Sequence, residues 1–248
     1  LLFVVGILCS TAVFAQFSGS GNGTESDPFL IFNETQLSQV KNFLNQEDVY
    51  FTLMKDLDIS NWINENNPSQ GWVSIGIEST PFKGHFNGNG KTISGVYINR
   101  PTTQYIGFFG YVSGAEIQNL YLIGTTITGA KFVGTLAGYM ENATVSNCDA
   151  TMTLVKSLDT DAGGLVGKAT NVPFISCDYT GVVNAVDMTA GGIVGWAAGG
   201  VTFSGCTLTG DVDAAGRIGG MVGAMDGEGS LSNCTVEGTL TGTYEVGG

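Results

Sequence analysis

Gly163-Gly164-Leu165-Val166-Gly167, Gly191-Gly192-Ile193-Val194-Gly195 and Gly219-Gly220-Met221-Val222-Gly223 are one pentapeptide written three times, at a spacing of 28 residues. Val246-Gly247-Gly248 falls in step with a fourth copy, and weaker copies stand upstream at Gly134-Thr135-Leu136-Ala137-Gly138 and Ile106-Gly107-Phe108-Phe109-Gly110. A fixed period between about 20 and 50 residues is the mark of a stacked repeat architecture.

A cysteine keeps time with the glycines: Cys148, Cys177, Cys206 and Cys234, with Leu120 in the equivalent place one repeat earlier. Steps of two from each Cys give Ala150, Met152, Leu154; Tyr179, Gly181, Val183; Leu208, Gly210, Val212; and Val236, Gly238, Leu240. The residues between are mostly Thr, Asp and Glu. Such alternation predicts one half-buried strand per repeat. A strand at constant phase pairs with its own copy in the next repeat, which is a parallel β-helix.

The rivals fail on composition and period. Helical repeats tolerate little glycine, and this chain has 38. Leucine-rich repeats need an L-x-x-L-x-L run and an asparagine ladder, neither of which is evident, and propeller blades need about 40 residues. The Gly-Gly step is expected to be a corner that uses glycine's backbone freedom, with close backbone packing as the alternative. Leu165 and Val166 are adjacent and both apolar, so the stripe Ala137, Val166, Val194, Val222 is expected to be either covered or an exposed sticky face.

Only 12% of residues are charged and the net charge is −13. Nine scattered basic residues cannot supply the phosphate contacts of a nucleic-acid binder. The apolar run from Leu1 to Val13, followed by Ala15 and Gln16, reads as a secretory signal (1–15) cleaved after Ala15. It is too short for a bilayer-spanning helix of about 20 residues, so no membrane span is predicted. Export invites disulfides, but side chains stacked in register about 4.8 Å apart sit farther apart than a disulfide's Cβ atoms prefer, about 3.8 Å. Reduced core thiols are expected. With one His and no C-x-x-C pair, no metal or cofactor is predicted.

Ahead of the repeats lies a leader with a capping helix (16–48). Asn33 and Gln36 form a capping-box pattern, and Leu37, Val40 and Leu44 share one helical face, which predicts a helix near 34–45 and then a strand at 49–54. The helix would cover the first open coil. Irregular first coils occupy 49–104 and regular repeats 105–248; the last repeat breaks off midway, which predicts a longer native protein.

Taken with Ser146-Asn147-Cys148, Ile175-Ser176-Cys177 and Ser232-Asn233-Cys234, the Gly-Leu-Val-Gly core resembles the GLUG-motif repeat. The segments 21–31 and 86–93 resemble the leader that precedes such repeats in bacterial surface proteins. The resemblance implies a large secreted or surface-anchored protein, adhesin-like or carrying the repeats as an accessory region beside a peptidase domain. There is no His-Glu-x-x-His here, so peptidase activity does not carry over.

Many parallel β-helices cleave polysaccharides with clustered carboxylates. The candidates are Asp159 with Asp161, Asp211 with Asp213, and Asp226 with Glu228, each pair in a different coil register, and the lone His85 in the irregular start. None builds one cluster, so no catalytic residue is assigned. Thr-x-Thr pairs at Thr126, Thr151, Thr207 and Thr239 do not share a register against the cysteine places, which predicts no flat Thr array. The expectation is a right-handed parallel β-helix of about 28-residue coils with a short N-terminal capping helix. It would be a monomeric, non-catalytic, secreted or surface stalk that presents a face to a glycan or protein; the alternative is a carbohydrate-active enzyme or its accessory region.

Overall fold

The computed structural model describes residues 17–247. The proposed signal segment and its cleavage point lie outside the described residues. The chain winds into a β-solenoid of about six turns, each about 28 residues long. Every pairing between neighbouring named strands is parallel, and strands pair with their own copies one coil on: Val166 with Val194, Val194 with Val222, Phe174 with Phe203, Ala162 with Ala190.

One coil shows how the sequence makes the turn. Ala137–Glu141 forms a strand of a small five-stranded sheet, with Phe109–Ser113, Val166–Thr170, Val194–Ala198 and Val222–Asp226 as its other members. Asn142 then takes a left-handed backbone, φ 49°, and the chain bends into Thr144–Ser146. Asn147 turns it again, φ 51°, into Asp149–Ser157, and Asp161–Gly163 leads back to the small sheet. Each coil therefore has two left-handed corners. The residue before the cysteine place is Asn119, Asn147, Ser176, Gly205 or Asn233, with φ between 51° and 65°. Asparagine bears this conformation better than most residues because its short amide bonds locally.

The amides also stack. Asn147 Nδ2 donates to Asn119 Oδ1 at 3.2 Å, Asn119 Nδ2 to Asn87 Oδ1 at 3.1 Å, and Asn171 Nδ2 to Asn142 Oδ1 at 3.1 Å. Short asparagine ladders are present after all, placed at the corners.

The Gly-Gly step lies at a third corner, but not for the expected reason. Neither Gly163 nor Gly164 has positive φ. A Cβ on Gly164 would collide with the Gly192 carbonyl and the Tyr179 ring, so close approach of the next coil demands glycine there. Just beyond it, Leu165 N–H and Val166 N–H both donate to the Ile193 carbonyl, at 3.0 Å each. Two residues opposing one is a bulge. The alternation resets, and Leu165 and Val166 both face the core at 1% and 0% exposure. The Val166 stripe is covered by the core itself.

A second bulge corrects the phase of Leu154. Gly181 lies opposite Met152, but Val182 lies opposite Leu154, so Thr153 is an extra residue. Val155 takes the inward place and Leu154 is half-exposed. Thr126 lies opposite Leu154, out of register with the other Thr pairs, but Thr180, outside those pairs, joins Thr151 and Thr209 in a short exposed Thr column.

Inside, Leu165, Ile193 and Met221 lie above one another, and Phe174 stacks on Phe203 at 5.2 Å. Cys148, Cys177 and Cys206 are buried and Cys234 half-buried, all as free thiols. Cys148 and Cys206 donate to Ile117 and Phe174 carbonyls of the preceding coil, at 3.6 and 3.5 Å.

At the N-terminal end, the first rung is Phe29–Ile31, paired with Tyr50–Leu53. The capping helix α1, Glu34–Gln39, is shorter than the pattern predicts and tightens into a 3-10 turn at Val40–Phe43. Asn33 Oδ1 accepts from Gln36 N, and Gln36 Oε1 accepts from Phe32 N. The tightening buries Phe43 and leaves Leu44 only half-buried. A second helix, α2 at Ser60–Asn66, lies outside the expectations; Asp58 Oδ1 accepts from Ser60 N at 3.0 Å at its start, and Trp62 rests on Trp72.

A candidate binding cleft between two side-chain columns

The small sheet has an inward and an outward face. Along its outward face the paired positions are Tyr111, Tyr139, Lys168, Trp196 and Ala224. Elsewhere the outward strand positions are largely Thr, Ser, Asn and Asp, so three large rings in one column are an anomaly. A second column runs beside it on the neighbouring strand. Tyr105 and Phe132 have left-handed backbones, φ 59° and 52°, which swing their rings outward. In the next coils Asp161 pairs with Thr189, and Thr189 with Arg217.

The two columns meet. Tyr105 stacks on Phe132 at 5.5 Å and 10°, and lies 5.3 Å from Tyr111 and 6.0 Å from Tyr139; Tyr111 and Tyr139 are 4.7 Å apart. Lys168 Nζ sits 5.5 Å from the Phe132 ring and 5.7 Å from both the Tyr139 and Trp196 rings, within cation–π range. Farther along, Trp196, Met188, Thr189, Arg217, Tyr244 and Glu245 line a cavity of about 880 Å³. That is ample for a small ligand. The result is a shallow cleft parallel to the rod axis, floored by mutually packed rings at one end and opening into the cavity beside Trp196 at the other.

Polar groups edge it. Tyr139 Oη lies 3.1 Å from Thr170 Oγ1 and 3.5 Å from Glu141 Oε2. Glu78 stands close enough to Tyr105 and Tyr111 to help raise both phenol pKa values, after the larger effect of burial. On the floor, Asp161 is 2% exposed and its Oδ1 has no hydrogen-bond partner. Burial pushes its carboxyl up to about 6, while the Thr189 and Thr160 hydroxyls and Lys168 pull the other way. Lys131 pairs with Asp159 at 3.1 Å and Arg217 with Glu245 at 3.1 Å.

The carboxylate candidates do not converge. Asp159 is exposed at the rim and Asp161 is buried below it. Asp211 Oδ1 accepts from Thr239 N at 2.9 Å, stitching two coils together. Asp226 and Glu228 are exposed at a turn. His85 Nδ1 is 3.0 Å from Glu116 Oε2, and its ring stacks on Tyr50 at 4.1 Å, on another face. Among the described residues no group of three or more His, Cys, Asp or Glu is placed to hold a metal ion.

The sequence-based expectations contain none of the cleft rings, although the signal is present. Tyr111, Tyr139, Lys168, Trp196 and Ala224 each follow directly on the last glycine of a motif. Alignment of the copies exposes the column; periodicity of the apolar residues, which tracks the core, passes it by.

No family model matches the chain. It is 40% identical over 126 residues to a protein of Evansella cellulosilytica described as a Gly-rich membrane protein, across 49% of this chain and 14% of that protein. It is 34% identical over 121 residues to halomucin of Haloquadratum walsbyi, across 48% of this chain and 1% of that protein. The chain thus matches a small part of each relative's length. No helix among the described residues is long and apolar enough to cross a membrane.

Proposed function

We propose that the chain is a non-catalytic binding module of the cell exterior, built of GLUG-type repeats and engaging a glycan through the cleft. The observation that carries this reading is the column of half-buried rings on an outward strand face. Rings there lose water-exposed surface only when something covers them, and aromatic rings are the usual anchors of recognition. A pyranose suits them, because its C–H face meets the negative face of a ring while its hydroxyls reach the rim. The relatives' names, a membrane protein and halomucin, are compatible with an exterior location. A rigid repeat scaffold spreads recognition over an extended surface.

The enzyme reading has one observation in its favour, the raised pKa of Asp161 in a cleft. Against it, Asp161 is 2% exposed, and its acidic neighbour Asp159 is tied to Lys131 at the rim. The deciding experiment measures reducing-end or unsaturated-product release across a glycan panel. The binding-module reading expects none from the parent chain; product that vanishes in Asp161→Asn would establish the enzyme instead. Glycan retention that persists in the Tyr139→Ala, Trp196→Ala double variant would move the binding surface elsewhere.

A further inference from the structure

Resting on that reading of the cleft, we infer that its occupant is a neutral, linear, β-1,4-linked pyranose polysaccharide that lies along the rod axis. The direction comes from the columns. Successive coils rise about 4.8 Å, so Tyr111, Tyr139, Lys168 and Trp196 mark equal steps along the axis. One β-1,4-linked pyranose spans close to one such step. An extended ribbon of these sugars turns the same face to the protein at every second unit, and Tyr139 and Trp196 are two coils apart. One ribbon can therefore stack on both rings, its intervening sugar spanning the coil of Lys168. An α-1,4-linked chain coils and leaves the column after a unit or two.

The charge comes from the pairing of the cleft cations. Lys131 is held by Asp159 and Arg217 by Glu245. Lys168 rests on three rings beside the buried Asp161. Each of these cations already faces a carboxylate or rings, while Glu78, Glu141 and Asp187 stand along the rim of a chain with net charge −13. An anionic polymer meets repulsion there. A neutral one offers hydroxyl donors to the same carboxylates. A peptide would bind by adding a strand, but the cleft runs along completed coils whose strands already pair on both sides at Ala137–Glu141, Val166–Thr170 and Val194–Ala198.

The test is affinity electrophoresis of the full chain in gels containing hydroxyethylcellulose, glucomannan, amylose or polygalacturonate, with calorimetry on cello-oligosaccharides. The expected result is retardation by the two neutral β-1,4 polymers alone, unchanged by added salt. Affinity should climb from the disaccharide to the hexasaccharide as sugars reach successive coils. Trp196→Ala should weaken binding about tenfold, the order expected for one stacked ring, and Trp196→Phe should restore much of it; thermal melts confirm that both variants fold. Ring-dependent retardation by polygalacturonate or amylose overturns the inference and leaves the cleft reading standing. Retardation by none of the polymers, or retardation indifferent to Trp196→Ala and Tyr139→Ala, overturns both.

Discussion

Asp161 carries a buried carboxyl whose Oδ1 has no hydrogen-bond partner. Its folded pKa of about 6 stands above the ordinary value of 3.8. Between those values the folded chain retains a proton that the unfolded chain has released, so the contribution to stability is full below pH 4 and is lost as pH rises through 6. Two pH units at about 1.36 kcal/mol each make the loss roughly 3 kcal/mol. Thermal melts from pH 4 to pH 7 should show the parent losing more stability across that window than Asp161→Asn, which keeps only the smaller contribution of the half-buried Asp149; parallel curves would refute the burial. The thiols behave differently. Burial pushes Cys148 up to about 12, and the neighbouring Cys206 sulfur, together with burial, raises Cys177, which suppresses the reactive thiolate at both. Cys206 is drawn down by the same contact with Cys177, so its protection rests on being fully buried. Alkylation of the native chain should mark the half-buried Cys234 first and reach Cys148, Cys177 and Cys206 only on unfolding without reductant. Two bridged pairs in the mass spectrum would contradict the structure.

At the scale of the element, the corners separate two jobs that glycine and asparagine do. Gly164 makes room for the Gly192 carbonyl and the Tyr179 ring; both are fixed in the stack, so Gly164→Ala should cost several kcal/mol, beyond the usual range for a point change. Asn147 instead holds a left-handed backbone. Asn147→Ala should cost about 1–2 kcal/mol and Asn147→Gly much less, since Gly205 already fills that place in a later coil. Equal destabilisation by both would assign Asn147's role to its amide ladder instead of its backbone. The difference also explains what was legible in advance. The pentapeptide and the cysteine phase revealed coil length, strand direction and the stacked core, because burial imposes one residue class at one phase. Positive φ leaves a weaker trace: Asn, Ser and Gly all satisfy it, so the ladder hid among ordinary polar residues. Helix α1 announced its start through Asn33 and Gln36, but packing under the first rung decided its end. Helix α2 offers only Trp62 and Ile63 as apolar contacts, too few to show a period. The cleft rings were missed because an outward column answers to a ligand, and core periodicity is blind to it.

Across the whole molecule, ion pairs contribute little. Three join Lys or Arg to a carboxylate among the described residues, every one of them partly solvent-exposed, and exposed pairs are worth about 0–1 kcal/mol each. Cohesion rests on the buried stack and on backbone bonds between coils, and those bonds all point along the rod. Pulled from its two ends, such a rod cannot slide apart strand by strand, because each tug concentrates on the outermost coil. That coil must peel away whole before the next feels the load. A released coil of 28 residues at about 3.5 Å each lengthens the tether by about 100 Å. Single-molecule stretching should therefore record a staircase of similar increments, and a single cooperative rip would show that the coils fail together. A filament that yields in instalments absorbs the energy of a jerk and can rewind when slack returns, the behaviour of a shock absorber placed in series with a load.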